Sequence, residues 1–331
     1  HLGVGKKKRP LINLYRLTGA AMALMPPEKF IIFDYSGTLS LEAPRFGRPE
    51  TLVRALKESG LATLGVSTPE VFWEKVVNPT WIEGSTTAIG YARVMADRIA
   101  AFRLAPDTTE SEIEAATSRF VAMYLASSRI DPHWRPILAR LGEYPGAITV
   151  VATDHYAEAT EKIIGYLDSW SIPAKKIAKG GGLAFPSVFS EAEDTNQTLF
   201  LTPHIESGAT VARSGNTVSK FFIANSADMG VWKADRRFWE ILKSRLPLVA
   251  VRRILLIDDF GFNEEAGDSY GGQAKALARQ EKTVANLRET FQAAVEVVPF
   301  YLPGGAGACK EAGAGLIAEA AARIDEFLER I

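Results

Sequence analysis

Residues 29–40, Lys-Phe-Ile-Ile-Phe-Asp-Tyr-Ser-Gly-Thr-Leu-Ser, set four apolar or aromatic positions, Phe30 to Phe33, ahead of a single carboxylate, Asp34. The run predicts a buried strand, and Gly37 and Thr38 predict a turn just beyond it. Parallel α/β sheets bind ligands in the crevice at the carboxyl ends of their strands. An acid there, ahead of a glycine that frees the backbone, is placed for chemistry. Three later segments repeat the arrangement. Residues 148–154, Ile-Thr-Val-Val-Ala-Thr-Asp, end in Thr153 and Asp154. Residues 254–259, Ile-Leu-Leu-Ile-Asp-Asp, end in the twin acids Asp258 and Asp259. Between them, Phe221-Phe-Ile-Ala-Asn-Ser-Ala-Asp-Met-Gly230 leads through Val-Trp to Lys233 and a stretch with helical character. Lys220 competes with Lys233, but it precedes its apolar run and so falls at the wrong end of that strand.

Asp34, Thr153, Lys233 and Asp258/Asp259, in that order and each at or beyond a strand end, resemble the signature of the haloacid dehalogenase-like hydrolase superfamily, most of whose members are phosphatases. Ser226-Ala-Asp-Met-Gly-Val-Trp-Lys-Ala-Asp-Arg-Arg-Phe is similar to the Ser-x-Asp-x-Gly-x-x-Lys-Pro-Asp-x-x-Phe stretch of that family, and Asp258-Asp-Phe-Gly-Phe-Asn263 to its Asp-Asp-x-x-x-Asn ending. The resemblance covers roughly residues 28–45 and 130–300. It implies a doubly wound α/β core with a mainly parallel, Rossmann-like sheet, and an α-helical cap inserted after the first strand. It also implies a Mg²⁺-dependent hydrolase acting on a small phosphorylated metabolite. In this chain the core would be residues 22–47 and 141–331, and the cap residues 48–140.

The chemistry of phosphoryl transfer explains those residue types. The transferred group carries dense negative charge, so catalysis is mostly positioning and electrostatic stabilisation. Asp34 is the candidate nucleophile, and carboxylates do form aspartyl-phosphates. A hard divalent cation on oxygen ligands offsets the repulsion between carboxylate and phosphate. Asp258 and Asp259 are its candidate ligands together with Asp34, and the resemblance adds the backbone carbonyl of Ser36. Lys233 supplies a compact positive charge to phosphate oxygens, and Thr153 a hydrogen bond. Gly37, Thr38, Asp154 and Trp81 complete the candidate substrate-binding set. Glu83, Arg45 and Arg48 are further candidate contacts.

One position departs from the pattern. Most phosphatases of the family carry a second Asp, the general acid and base, two residues after the nucleophile; here that residue is Ser36. A hydroxyl does not do that work, which is typically worth about 10²–10⁴-fold. Three readings stay open: a substrate whose leaving group needs no acid, a proton from another residue, or a phosphate-binding protein with a weakened site. Phosphonate or haloacid hydrolysis is the enzymatic rival. The acidic pair argues against the halide branch, which works without metal, and the phosphonate branch calls for a cap lysine such as Lys57 or Lys75.

The chain has 331 residues, enough for about two domains, and 47% hydrophobic content supports an ordinary core. A net charge of −1 gives no global field to attract nucleic acid. A lone cysteine, Cys309, forms no intrachain disulfide, which fits a reducing, cytoplasmic setting. No membrane span is expected, and the assembly would be a monomer or homodimer. Residues 1–21, with Lys6-Lys-Lys-Arg9, read as an extension or expression remnant. Candidate cap helices are Pro49–Ser59, Pro69–Val77, Thr86–Phe102 and Thr109–Leu125, the last opened by a Thr-Glu-Ser-Glu cap. Asn78–Ser85 reads as a connection. Residues 175–218 read as an insertion, with Thr198–Thr202 and Thr210–Arg213 as candidate strands and His204 as a candidate proton source. At the C-terminal side, Ala274–Ala294 and Leu316–Ile331 read as helices flanking a strand at Val295–Phe300.

Overall fold

The computed structural model describes residues 27–102, 107–180, 220–265, 267–307 and 310–330. Residues 1–21, His204, Cys309 and the candidate strands at 198–202 and 210–213 lie outside the described residues. Six strands form one sheet: β1 (Lys29–Phe33), β2 (Ala147–Thr153), β3 (Ala174–Ile177), β4 (Phe221–Asn225), β5 (Arg253–Asp258) and β6 (Ala294–Pro299). Their order is β3-β4-β2-β1-β5-β6 and every pairing is parallel.

The near-continuous apolar runs are what a sheet covered on both faces requires, and the period of two sorts them. Ile31, Phe33, Phe221, Ile223, Leu255 and Ile257 face one core with Trp134, Leu138, Ile163, Leu167 and Phe327. Their neighbours Phe30, Ile32, Phe222, Ala224, Ile254 and Leu256 face a second core with Phe238, Trp239, Leu242 and Leu287. The helices Arg135–Glu143, Glu158–Ser169 and Lys310–Glu329 cover the first face, and Arg236–Arg245 and Gln273–Phe291 the second. The protein is therefore a doubly wound, Rossmann-like α/β fold.

Between β1 and β2 the chain makes a helical insertion with its own apolar cluster, built on Leu52, Leu56, Phe72, Val76, Met95 and Phe120. Tyr156, just past β2, belongs to that cluster and ties it to the sheet. Pro49–Ser59 is helical as expected, and Glu110–Ser127 opens on a Thr109–Glu112 capping box. Ile130, Trp134, Ile137 and Leu138, within the stretch expected to be cap, pack with the sheet instead.

Two expectations need correction. Asn78–Ser85, read as a connection, lies within a helix, Asn78–Thr86, and the break falls after it, before Tyr91–Phe102, where Gly90 takes φ +89°. Residues 175–177, assigned to the insertion, are part of edge strand β3; the exposed pair Lys175–Lys176 hid the strand's period while leaving its outer edge charged.

Candidate active site

Strand register assembles the site. Phe33 on β1 sits opposite Val151 on β2 and Ile257 on β5, so the next residues, Asp34, Ala152 and Asp258, lie level near the carboxyl edge, with Thr153 one residue further at the end of β2. β1 also marks the place where the connection order reverses, from β2 on one side to β5 on the other. That switch point opens the crevice between strand ends.

Asp34, Asp258 and Asp259 are all buried and present carboxylate oxygens within 4.8 Å of one another. Lys233 Nζ donates to Asp34 Oδ1 at 2.7 Å and to Asp258 Oδ2 at 2.9 Å. The ammonium is only 4% exposed. Burial opposes its charge, but Asp258, Asp34 and Asp154 outweigh that cost and push its pKa up. Lys233 sits in the turn ahead of Arg236–Arg245, whose N-cap is Asp235, rather than on the helix itself. Its backbone is fixed on both sides: its N–H donates to Asp154 Oδ1 at 2.9 Å, and its carbonyl accepts from Trp239 Nε1 at 2.7 Å. Asp154 Oδ2 accepts from the Tyr270 hydroxyl at 3.1 Å.

The twin acids are held from behind. Phe260 N–H donates to Asp258 Oδ1 at 2.6 Å, and Asn263 N–H to Asp259 Oδ2 at 2.9 Å. The Asn263 amide donates to the carbonyls of Gly37 and Phe300, both at 2.8 Å, which locks the turn after β1 to the turn after β5. Thr38 is fully buried, and its hydroxyl accepts from Asp259 N–H at 3.1 Å. Gly37 and Thr38 thus shape the twin-acid turn.

Three clustered carboxylates, two of them bonded to one ammonium, leave a buried excess of negative charge. Burial pushes Asp258 up to about 6 against the pull of Lys233. Burial, with Asp34, Glu264 and Asp258 nearby, holds Asp259 well above the carboxylate range. Asp259 Oδ1 is buried without a hydrogen-bond partner. An orphaned oxygen and an all-oxygen donor set fit a hard divalent cation.

A pocket lined by Asp34, Ser36, Thr153, Asp154 and Asp259 continues into the insertion, where Phe72, Trp81, Tyr91 and Tyr124 form its wall. Trp81 packs edge-on against Tyr156 and Tyr270, with ring centroids 5.3 and 5.6 Å away. Glu83, Lys57 and Lys75 are exposed and do not line the pocket. Arg45 pairs with Glu42 at 2.6 Å. Lys220 bonds the carbonyls of Glu143 and Tyr144 ahead of β4.

Sequence reasoning did not single out Tyr270 or Glu264. Glu264 lines the pocket and its Oε1 accepts from Ser36 Oγ at 2.7 Å. Burial, reinforced by Asp268, pushes its carboxyl up to about 8. No signal in the Glu264-Glu265 pair separates the two residues; only the fold brings the first to Ser36. His155, also in the pocket, is held well down at about 4 by burial.

No family model and no curated protein matches the chain. Among solved structures it is similar to one described as a predicted phosphoglycolate phosphatase from Haemophilus somnus 129PT. The sequence identity is 15% and the TM-score 0.34, with 78% of this chain and 84% of that chain covered.

Proposed function

We propose that this chain is a Mg²⁺-dependent hydrolase of a small phosphorylated metabolite, working through an aspartyl-phosphate on Asp34. The observation that supports it is the convergence of Asp34, Asp258 and Asp259 at the switch point of the sheet, with the Lys233 ammonium bonded to the first two. A buried ion cluster of this kind is a poor stabiliser, since desolvating its members costs several kcal/mol per ion. Perturbed, buried groups in a cleft are what a reactive site requires.

Asp34, Asp258 and Asp259, with the Ser36 carbonyl, are the residues to hold the cation, which supplies the positive charge that lets a phosphate approach a carboxylate. Lys233 holds Asp34 in place through its hydrogen bond and turns its remaining donor capacity to a phosphate oxygen. Thr153 contributes a hydroxyl from the end of β2. Asp154 and Trp239 hold the Lys233 backbone in place, so the ammonium enters the site preorganised. The helical insertion serves as the cap: its aromatic wall excludes water and selects the organic part of the substrate. The phosphonate alternative loses support because Lys57 and Lys75 are exposed and away from the pocket.

A panel of metabolite phosphates, assayed with Mg²⁺ and with EDTA, tests the reading. Phosphate release from at least one member is expected, dependent on Mg²⁺ and abolished by Asp34→Asn. Metal-free dehalogenation, or Mg²⁺ binding with no turnover on any ester or acyl phosphate, would overturn it.

A further inference from the structure

The hydroxyl at position 36 is occupied. Ser36 Oγ donates to Glu264 Oε1 at 2.7 Å, and both residues line the pocket that holds Asp34. Glu264 is also rigidly carried. The residue before it, Asn263, is fully buried and makes four hydrogen bonds: its amide to Gly37 and Phe300, its N–H to Asp259, and its Oδ1 from Leu302 N–H at 2.9 Å. The same clamp that registers the acidic turn against the Asp34 turn therefore fixes where Glu264 begins. Three other titratable groups of the pocket, Asp154, His155 and Asp268, have partners of their own. Asp154 bonds Lys233 N–H and the Tyr270 hydroxyl through its two oxygens. His155 has Nδ1 accepting from Tyr156 N–H and Nε2 bonded to Tyr124 Oη, both at 2.8 Å. Asp268 Oδ1 accepts from Tyr270 N–H at 2.8 Å.

We infer that Glu264, oriented by Ser36, is the proton donor and acceptor of the reaction: a two-residue device in which a serine and a distant glutamate replace one aspartate. The inference rests on the proposed hydrolase reading, with Asp34 as nucleophile. In the first step the Asp34 Oδ–phosphorus bond forms as the bond from phosphorus to the leaving oxygen breaks. The Glu264 carboxyl proton passes to that oxygen, which departs as an alcohol. In the second step water attacks phosphorus and gives one proton to the Glu264 carboxylate. The Asp34–phosphorus bond breaks, releasing phosphate and restoring both carboxyl groups to their starting states. Ser36 acts as the positioning residue, its hydrogen bond aiming the carboxyl at the leaving group.

Glu264→Gln keeps the shape and the acceptor for Ser36 while removing the transferable proton. Two esters read the consequence: an alkyl phosphate, whose leaving oxygen needs a proton, and 2,4-dinitrophenyl phosphate, whose leaving group does not. With the alkyl ester, kcat/KM is expected to fall about 10²–10⁴-fold, the usual worth of general acid–base help. With the dinitrophenyl ester, the first-turnover burst of dinitrophenolate is expected to persist near the wild-type rate, while later turnovers slow as the aspartyl-phosphate waits for an activated water. Ser36→Asp in the Glu264→Gln background is expected to restore alkyl phosphate hydrolysis, because the aspartate supplies the proton that the glutamine lacks. Equal losses on both esters, no loss on the alkyl ester, or no rescue by the aspartate would each overturn the inference and leave the hydrolase reading standing. A wild type that releases phosphate from neither ester nor any panel member overturns the hydrolase reading, and this inference with it.

Discussion

Gly37 shows how tightly a single residue can be specified by the site. Its φ is +74°, and a Cβ built there would sit 2.5 Å from Asp259 Oδ2. Backbone freedom and close approach are thus required at one position, and only glycine supplies both. Its carbonyl is also the acceptor for Asn263. Gly37→Ala is expected to cost about 1–3 kcal/mol of stability for the left-handed conformation, before any displacement of the acid. Because the carboxylate that must yield is a candidate metal ligand, Mg²⁺ affinity should fall as well. A urea melt and a Mg²⁺ titration of the same variant check the pair; a variant as stable as wild type with unaltered Mg²⁺ affinity contradicts the account.

Among the elements, the helix Glu110–Ser127 carries Phe120 and Tyr124 to the pocket wall, and its start is set by a reciprocal cap. Thr109 Oγ1 accepts from Glu112 N–H at 3.3 Å, while Glu112 Oε2 accepts from Thr109 N–H at 2.8 Å. Thr109→Ala should destabilise the protein by about 1 kcal/mol, within the 0.5–2 range for lost caps. The cap lies far along the helix from Tyr124, so the denaturation midpoint should drop with the m-value and kcat unchanged; a drop in kcat at full folding would contradict this. That cap was legible in the sequence because its signal is local. So were β1, β2 and β5, each a short apolar run ended by a functional group. The helix Asn78–Thr86 was not legible, since Pro79, Gly84, Ser85 and Thr86 all speak against it. Tertiary contacts overrule them. Gly84 lies so close to Tyr156 that a Cβ would meet the ring at 2.3 Å, and Ser85 receives Trp232 Nε1 at 2.7 Å and Ser226 Oγ at 2.5 Å. The same limit applied to the site. Asp34, Thr153, Lys233 and the acidic pair announce themselves at strand ends, whereas the Ser36–Glu264 contact spans 228 positions and has no local trace.

For the whole molecule, the seam between the insertion and the sheet couples stability to pH. His155 lies two residues past the end of β2 and reaches the insertion through Tyr124, with the ring centroids 5.7 Å apart. Its Nδ1 accepts from Tyr156 N–H, so the neutral ring carries its proton on Nε2 and donates it to Tyr124 Oη. A second proton would have to sit on Nδ1, facing an N–H donor in a buried place. Burial accordingly lowers the folded-state pKa from 6.5 to about 4. Below pH 6.5 the unfolded chain takes up a proton that the folded chain refuses, so folding stability falls as pH drops, until the folded ring itself titrates near 4. A shift of that size is worth about 3 kcal/mol at most, at 1.36 kcal/mol per unit. The buried acids Asp258 and Glu264 have raised values and act in the opposite direction, since each destabilises the fold when ionised. Their contribution cancels when wild type is compared with His155→Asn, which lacks the titrating ring but keeps those acids. Urea unfolding of both proteins from pH 7 to pH 4 should show wild type losing its advantage over the variant as the pH falls, by up to about 3 kcal/mol. A gap that stays constant across that range would mean that the His155 ring is not held neutral by the seam.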